Sequence, residues 1–289
     1  MSKILSVNNL TKVYSSGKGV RNITFDLEKG TILGVIGLNG AGKTTLMSCL
    51  TGFLDHGSGS REYHFDDKVY NNVAPAVLEN LGIVTTEYDF PGHFNAKIIN
   101  NIMAAGYKNW SRSKFYETLE LLELDIKLKT AKYSTGMKAK LAIAMALSHS
   151  PKILIFDEAT NGLDVKASAK VRQLLHDFVA GGENSIILTS HIMGEIERMS
   201  DSIMLLHNGN MKFICNRDDL LHQYKVFPVS SKRLDSIDMA DVLVIKQDGF
   251  ATRVIAKDPK AFAEKYVIEP VTLSLGAVME ILLEGNDVV

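Results

Sequence analysis

Residues 37–45 read GLNGAGKTT, directly after the apolar run TILGVI at 31–36. A strand that feeds a glycine-rich loop ending in Lys-Thr has the geometry that holds nucleotide phosphates. Gly37, Gly40 and Gly42 let the backbone bend close to an anion. The loop N–H groups, those of Leu38, Asn39, Ala41 and Thr45 included, can then ring it. A helix opening at Lys43 turns its positive dipole end toward the same point. Lys43 reaches the β- and γ-phosphates, and the Thr44 hydroxyl ligates Mg²⁺. A second acid-bearing segment supplies what such a loop lacks. Residues 152–158 read KILIFDE, an apolar strand that ends in two carboxylates. Asp157 holds Mg²⁺ through its hydration shell, which suits a cation that dehydrates reluctantly. Glu158 is set to act as general base on the water that attacks the γ-phosphate.

Bulk properties narrow the setting. The 289 residues are 46% hydrophobic, enough for one full domain and a smaller one. Thirty-two Lys and Arg against 33 Asp and Glu leave a net charge of -1, so no global charge draws the chain to nucleic acid or anionic lipid. Cys49 and Cys215 are too few for a disulfide framework and suit a reducing compartment. Cys49, in the helix after the phosphate loop, reads as a buried structural thiol. The opening MSKILSVNNLTKVY lacks the apolar stretch of a signal peptide, and no segment approaches the ~18 apolar residues of a membrane span. Any membrane role requires another chain to supply the spans.

The elements that position these groups follow from periodicity. Residues 4–14 and 22–27 alternate apolar and polar around the turn at 28–30, an antiparallel pair leading into the strand at Ile32. The phosphate-loop helix stops near Gly52, and GSGS at 57–60 reads as a loop. After a short strand at 82–84, helical periodicity recurs at 96–105, 113–124 and 136–147, and Pro151 ends that block. Strands at 152–156 and 185–189, joined by an amphipathic helix at 165–179, predict a parallel sheet covered on both faces. HNGN at 207–210 predicts a hairpin turn, and a domain edge falls near Cys215. The tail repeats the pattern on a small scale. Segments 241–246 and 251–257 alternate around QDGF, and Leu275, Val278, Met279 and Leu282 form the stripe of an amphipathic helix. This is a small α+β module of about 75 residues, a size that rarely folds robustly without support.

GLNGAGKTT, then YSTGM at 133–137, ILIFDE, NGLD at 161–164 and Ser190-His191 occur in that order. The series resembles the nucleotide-binding subunit of ABC transporters, over about residues 3–214. The resemblance implies an α/β, P-loop ABC ATPase fold: a parallel core sheet, an antiparallel β subdomain and a helical subdomain at about 87–150, all within 1–214. The C-terminal module at 215–289 is accessory to it. ATP and Mg²⁺ are the implied ligands. Tyr14 lies where the family has an aromatic on the adenine ring; stacking is worth about 1–3 kcal/mol and discriminates little among bases. His191 resembles the switch histidine, which contacts the γ-phosphate and orients Glu158. YSTGM resembles the family signature in a form other than the commoner LSGGQ. Its Ser134 can cap a helix whose N–H groups from Gly136 onward face an anion. In the family that anion is the γ-phosphate held by a second subunit. Asp164 resembles the residue that links the two ATP sites, and it also reads as a helix cap. The implied unit is a head-to-tail dimer, with a second copy or a paralogous ATPase subunit, around two ATP molecules.

One motif departs from the pattern. Where the family has a metal-touching glutamine, GIVTTE at 82–87 offers Thr86, with Glu87 adjacent. Thr86 is the assigned metal contact, at shorter reach than glutamine. Phe90, Phe94, Tyr107 and Trp110 either line a groove for a membrane partner's cytoplasmic segment or fill a core. YSTGM and the helix TLSLGAVMEILLEG look like ATPases of drug and antimicrobial-peptide export. The implied function is the ATPase of an exporter on the cytoplasmic face of the membrane, bound to a separate transmembrane permease and to no nucleic acid. The rival readings are a soluble ABC ATPase uncoupled from transport and a nucleotide sensor without turnover. Glu158 argues against the sensor.

Overall fold

The strands that carry the chemistry lie side by side in a computed structural model, which describes residues 2–85, 90–158, 162–190, 193–248 and 251–287. The chain divides into two compact units, 1–191 with 202–214, and 192–201 with 215–289. In the first, β3 (Ile32–Ile36), β8 (Ser185–Thr189) and β7 (Ile153–Asp157) run parallel, flanked by β9 (Ser202–His207) and β6 (Leu81–Thr85). All five residues of β3 and of β8 are buried. Continuous apolar runs of that kind belong to strands covered on both faces. The helices between them are α1 (Lys43–Thr51) and α6 (Val165–Val179).

The sheet continues through β10 (Asn210–Asn216) and β2 (Gly19–Glu28) into antiparallel pairs of β1 (Lys3–Val13), β4 (Ser58–Phe65) and β5 (Lys68–Tyr70). Ser58 to Ser60, read above as a loop, belong to β4. They pair with β1 as Asn8↔Ser60 and Thr11↔Ser58, across a register slip between Asn8 and Thr11. Glycine and serine signal a turn locally, and the neighbouring strand overrides that signal. Beyond the short α2 (Pro75–Leu78), a helical block comprises α3 (Ala96–Gly106), α4 (Arg112–Leu121) and α5 (Thr135–Ser148). Asn95, Ser111 and Ser134 cap them, each accepting from a backbone N–H three residues on. Ile99, Phe115, Leu119, Leu141 and Met145 form their common core. Phe94 and Trp110 pack against that core, and Tyr107 stacks on His149 at 4.2 Å between ring centroids. Phe90 packs against the same core, so all four singled-out aromatics make packing contacts in this block.

The second unit holds α7 (Met193–Met199), α8 (Arg217–Gln223), β11 (Val226–Val229), α9 (Ser231–Leu234), β12 (Val242–Asp248), β13 (Ala251–Ala256), α10 (Pro259–Tyr266), α11 (Leu275–Glu284) and β14 (Asn286–Asp287). Its antiparallel sheet has the order β11-β13-β12-β14. Phe227, Val254 and Phe262 centre its core. On α11 the buried side chains are Leu275, Val278, Met279, Ile281 and Leu283, with Leu282 half-buried. The buried arc is wider than the expected stripe because α11 lies against both α7 and β12. Cys49 is buried and Cys215 half-buried, both free thiols. Among the described residues no helix is long and apolar enough to cross a membrane.

Phe262 is 1% exposed, its ring 4.7 Å from those of Phe227 and Tyr266. Phe262→Ala should destabilise this unit by about 3–5 kcal/mol. Amide hydrogen exchange across β11, β12 and β13 reads the loss directly.

Candidate functional site

The phosphate-loop segment leaves β3 at Ile36 and re-enters regular structure at Lys43, the first residue of α1. No side chain caps this helix, and its first turn carries no acid, so its positive end is uncompensated. Gly42 sets the entry. Its φ is +106°, and a Cβ there would lie 2.9 Å from the Gly19 carbonyl oxygen. The result is an open cleft of about 450 Å³. Tyr14, Asn39, Gly40, Gly42, Lys43, Thr44 and Thr45 line it, with Glu158 at the same cleft. Leu38 is exposed and Ala41 buried; both belong to the loop without lining this space.

Lys43 is only 5% exposed, and its Nζ donates to the Gly37 carbonyl at 2.8 Å. It also lies 3.4 Å from Glu158 Oε1. A buried ammonium is tolerated with partners of this kind. Both acids at the end of β7 are held by β8. Asp157 and Thr189 are register neighbours, and the Thr189 hydroxyl donates to Asp157 Oδ1 at 2.8 Å. The Glu158 N–H donates to that same hydroxyl at 3.0 Å and to the Thr189 carbonyl at 3.3 Å. Glu158 has φ +52°, a left-handed conformation that costs a non-glycine residue about 1–2 kcal/mol. Burial pushes the Asp157 carboxyl above its ordinary range, and hydrogen bonds from Thr189 and Thr44 pull the other way.

Thr44 and Asp157 thus present two oxygens to one another beside the cleft. Among the described residues there is no cluster of three His, Cys, Asp or Glu that could cage a metal. Two protein oxygens fit a Mg²⁺ that keeps its waters and takes the remaining ligands from phosphates. Thr86 and His191 lie outside the described residues.

Ser134, Gly136 and Asp164 are not among the residues lining this cleft. They meet at a second locus. Ser134 caps α5, its Oγ accepting from Met137 N at 3.3 Å. Asp164 caps α6, its Oδ1 accepting from Ala167 N at 2.8 Å, and that bond is the first cause of its lowered pKa. The loop before α6 touches the start of α5. A Cβ on Gly136 would lie 2.3 Å from the Gly162 carbonyl oxygen, which leaves no room for any side chain.

Two features escaped the reading of the sequence. Ser16, Lys18 and Gly19 also line the cleft, and the SSGKG turn at 15–19 was a visible composition signal for them. Thr189 carried no motif. Only the pairing of β7 with β8 brings it opposite Asp157.

Comparisons with known proteins give the family. The family model for ABC transporter matches residues 20–161. The bacitracin transport ATP-binding protein BcrA of Bacillus licheniformis is 34% identical over 216 residues, covering 73% of this chain and 69% of that protein. The lantibiotic transport ATP-binding protein SrtF of Streptococcus pyogenes is 32% identical over 216 residues, covering 72% and 89%. The solved ATP-binding subunit of an ABC transporter superposes with a TM-score of 0.66 at 25% identity, covering 76% of this chain and 92% of that one. A dimeric, post-hydrolysis ATP-binding cassette bound to ADP and phosphate shares the fold, with a TM-score of 0.64 at 20% identity over 74% of this chain and 98% of that one. The chain belongs to the ABC transporter family, as an ATP-binding and ATP-hydrolysing subunit.

Gly136→Ala must drive the 134–137 and 162–164 segments apart, because the clashing atom is backbone. ATP affinity of the isolated chain should stay within about twofold, since the 37–45 loop is untouched, while hydrolysis falls about 10²-fold. Equilibrium nucleotide binding and steady-state phosphate release, measured on the same preparation, separate the two effects.

Proposed function

We propose that the chain drives export of antimicrobial peptides, by hydrolysing ATP between two ATPase subunits that move a separate membrane permease. The observation that carries the mechanism is the buried Lys43, with Glu158 Oε1 3.4 Å from its Nζ at the wall of the cleft. Lys43 binds the β- and γ-phosphates, the loop N–H groups of 37–45 surround them, and Tyr14 stacks on the base. Thr44 and Asp157 would hold Mg²⁺, which would supply positive charge beside the transferring phosphoryl group. Glu158 takes a proton from the attacking water. His191 and Thr86 are assigned the γ-phosphate and metal contacts expected from the motif order. Ser134, Gly136 and Asp164 serve the nucleotide of the neighbouring subunit, which accounts for their distance from this chain's own cleft. The peptide cargo is inferred from the bacitracin and lantibiotic transport proteins to which the chain is similar. The subunit acts at the cytoplasmic face of the membrane, and residues 215–289 are an accessory module.

The permease contact has a candidate seat. A cleft of about 510 Å³ on the helical block is lined by Phe90, Pro91, Gly92, Thr130, Ala131, Tyr133 and Lys138. Among the described residues the buried Tyr133 hydroxyl has no hydrogen-bond partner. Of the four aromatics singled out in the sequence, Phe90 alone lines this opening.

Glu158→Gln should still bind ATP and dimerise, with hydrolysis slowed at least ~10²-fold. Normal turnover in that variant would remove Glu158 from the base role. Phe90→Asp should lower recovery of a co-expressed permease at least ~10-fold, while ATP hydrolysis by the isolated chain is unchanged. Undiminished co-purification would count against the seat.

A further inference from the structure

The acids at the end of β7 depend on a residue that no motif marks. Thr189 closes β8, is 2% exposed, and stands opposite Asp157 in the parallel register. A hydroxyl offers one donor and two acceptor positions. Here it donates to Asp157 Oδ1 at 2.8 Å and accepts the Glu158 N–H at 3.0 Å. One side chain therefore ties the carboxylate of the first acid to the backbone of the second.

Each tie answers a specific physical demand. The bond to Asp157 Oδ1 fixes the orientation of that carboxylate at the strand end. Glu158 sits at φ +52°, a conformation that non-glycine residues hold only when their surroundings over-determine it. Its N–H donates to Thr189, to both the hydroxyl and the carbonyl. The hydroxyl bond is the shorter of the two. The Glu158 carboxylate lies 3.4 Å from Lys43 Nζ. Valine has nearly the same shape as threonine but could make neither bond, so the site tests the hydroxyl apart from the bulk.

We propose that Thr189 is a positioning residue for ATP hydrolysis: its hydroxyl bridges Asp157 and the Glu158 amide and holds the two acids in their working arrangement. The proposal rests on the reading of Glu158 as general base. It requires no contact between Thr189 and nucleotide, so its loss appears in turnover and metal dependence rather than in ATP affinity.

The test uses the full chain with MgATP. Thr189→Val should lower kcat about 10²-fold, leave KM for ATP within about twofold, and raise the Mg²⁺ concentration for half-maximal rate several-fold. Thr189→Ser keeps the hydroxyl and should restore most of kcat. In a Glu158→Gln background, Thr189→Val should cost almost nothing further, because the two residues act as one unit. A Thr189→Val enzyme with kcat within about threefold of wild type overturns the proposal. So does a loss that Thr189→Ser shares, which would assign the effect to packing of the side chain rather than its hydroxyl. If Thr189→Val does not fold, Thr189→Cys carries the test, since a thiol is a weak donor of similar bulk. Full kcat in Thr189→Cys overturns the proposal, and a loss supports it. The outcome is separable from the base assignment. Normal turnover in Glu158→Gln alone removes the general base, whereas a slow Glu158→Gln beside a normal Thr189→Val removes only the role of Thr189.

Discussion

Parallel alignment of β3, β8 and β7 is the constraint on which the cleft at the 37–45 loop depends. Parallel strands all end at the same edge of the sheet, and in open α/β sheets ligands bind beyond those carboxyl ends. The register pairs Val35 with Thr189 and Thr189 with Asp157, so the phosphate loop and the two acids emerge at one level. A slip of one residue would turn Asp157 to the opposite face and remove the partner of the Thr189 hydroxyl. Such slips are opposed by the apolar content of the strands, which are buried almost throughout. The hydrophobic core thus sets the distance between Lys43 and Glu158, although neither residue is apolar.

A second locus depends on close backbone approach. The start of α5 and the loop before α6 touch through Gly136 and Gly162, a contact that only glycine at 136 permits. The same two regions are tied further along. Lys170 Nζ donates to the Leu121 carbonyl at the end of α4 and to Glu123, which Lys166 also meets. The two ammonium groups hold the Glu123 carboxyl down at about 2. Lys166 and Glu123 are largely exposed, so the ion pairs contribute modestly, and the glycine contact is the stronger determinant of geometry. Both links join the helical block to α6, which Asp164 begins. Ser134, Gly136 and Asp164 are thereby carried as one piece.

Legibility followed the range of the interactions. The phosphate loop, the two acids, the caps at Ser134 and Asp164 and the helix at 165–179 were readable because each is decided within a few residues. Periodicity recovered α3, α4 and α5 to within three residues at each end, since α3 and α4 turn apolar faces to a shared core and α5 is buried along most of its length. The first residues of β4 were misread because a glycine-serine run looks like a turn unless β1 is known to pair with it. The aromatics at 90–110 could not be sorted by type. Phe90, Phe94 and Trp110 all pack against one core, and Phe90 also lines a cleft, a difference of three-dimensional surroundings.

By itself, the sequence determined the chemistry: a phosphate-binding loop, a pair of acids after an apolar strand, and a helix start suited to an anion. Those are properties of residue type and short spacing, which local backbone geometry translates directly. Tertiary structure alone decided which groups meet. It brought Ser16 and Lys18 to the cleft at the 37–45 loop, set the Thr189 hydroxyl between Asp157 and Glu158, and left Ser134 and Gly136 away from that cleft. It also joined residues 192–201 to the C-terminal unit, an association with no local signal. These contacts bridge tens to more than a hundred positions of chain. The burial that enforces them is a sum over the whole core, and no short stretch of sequence contains it.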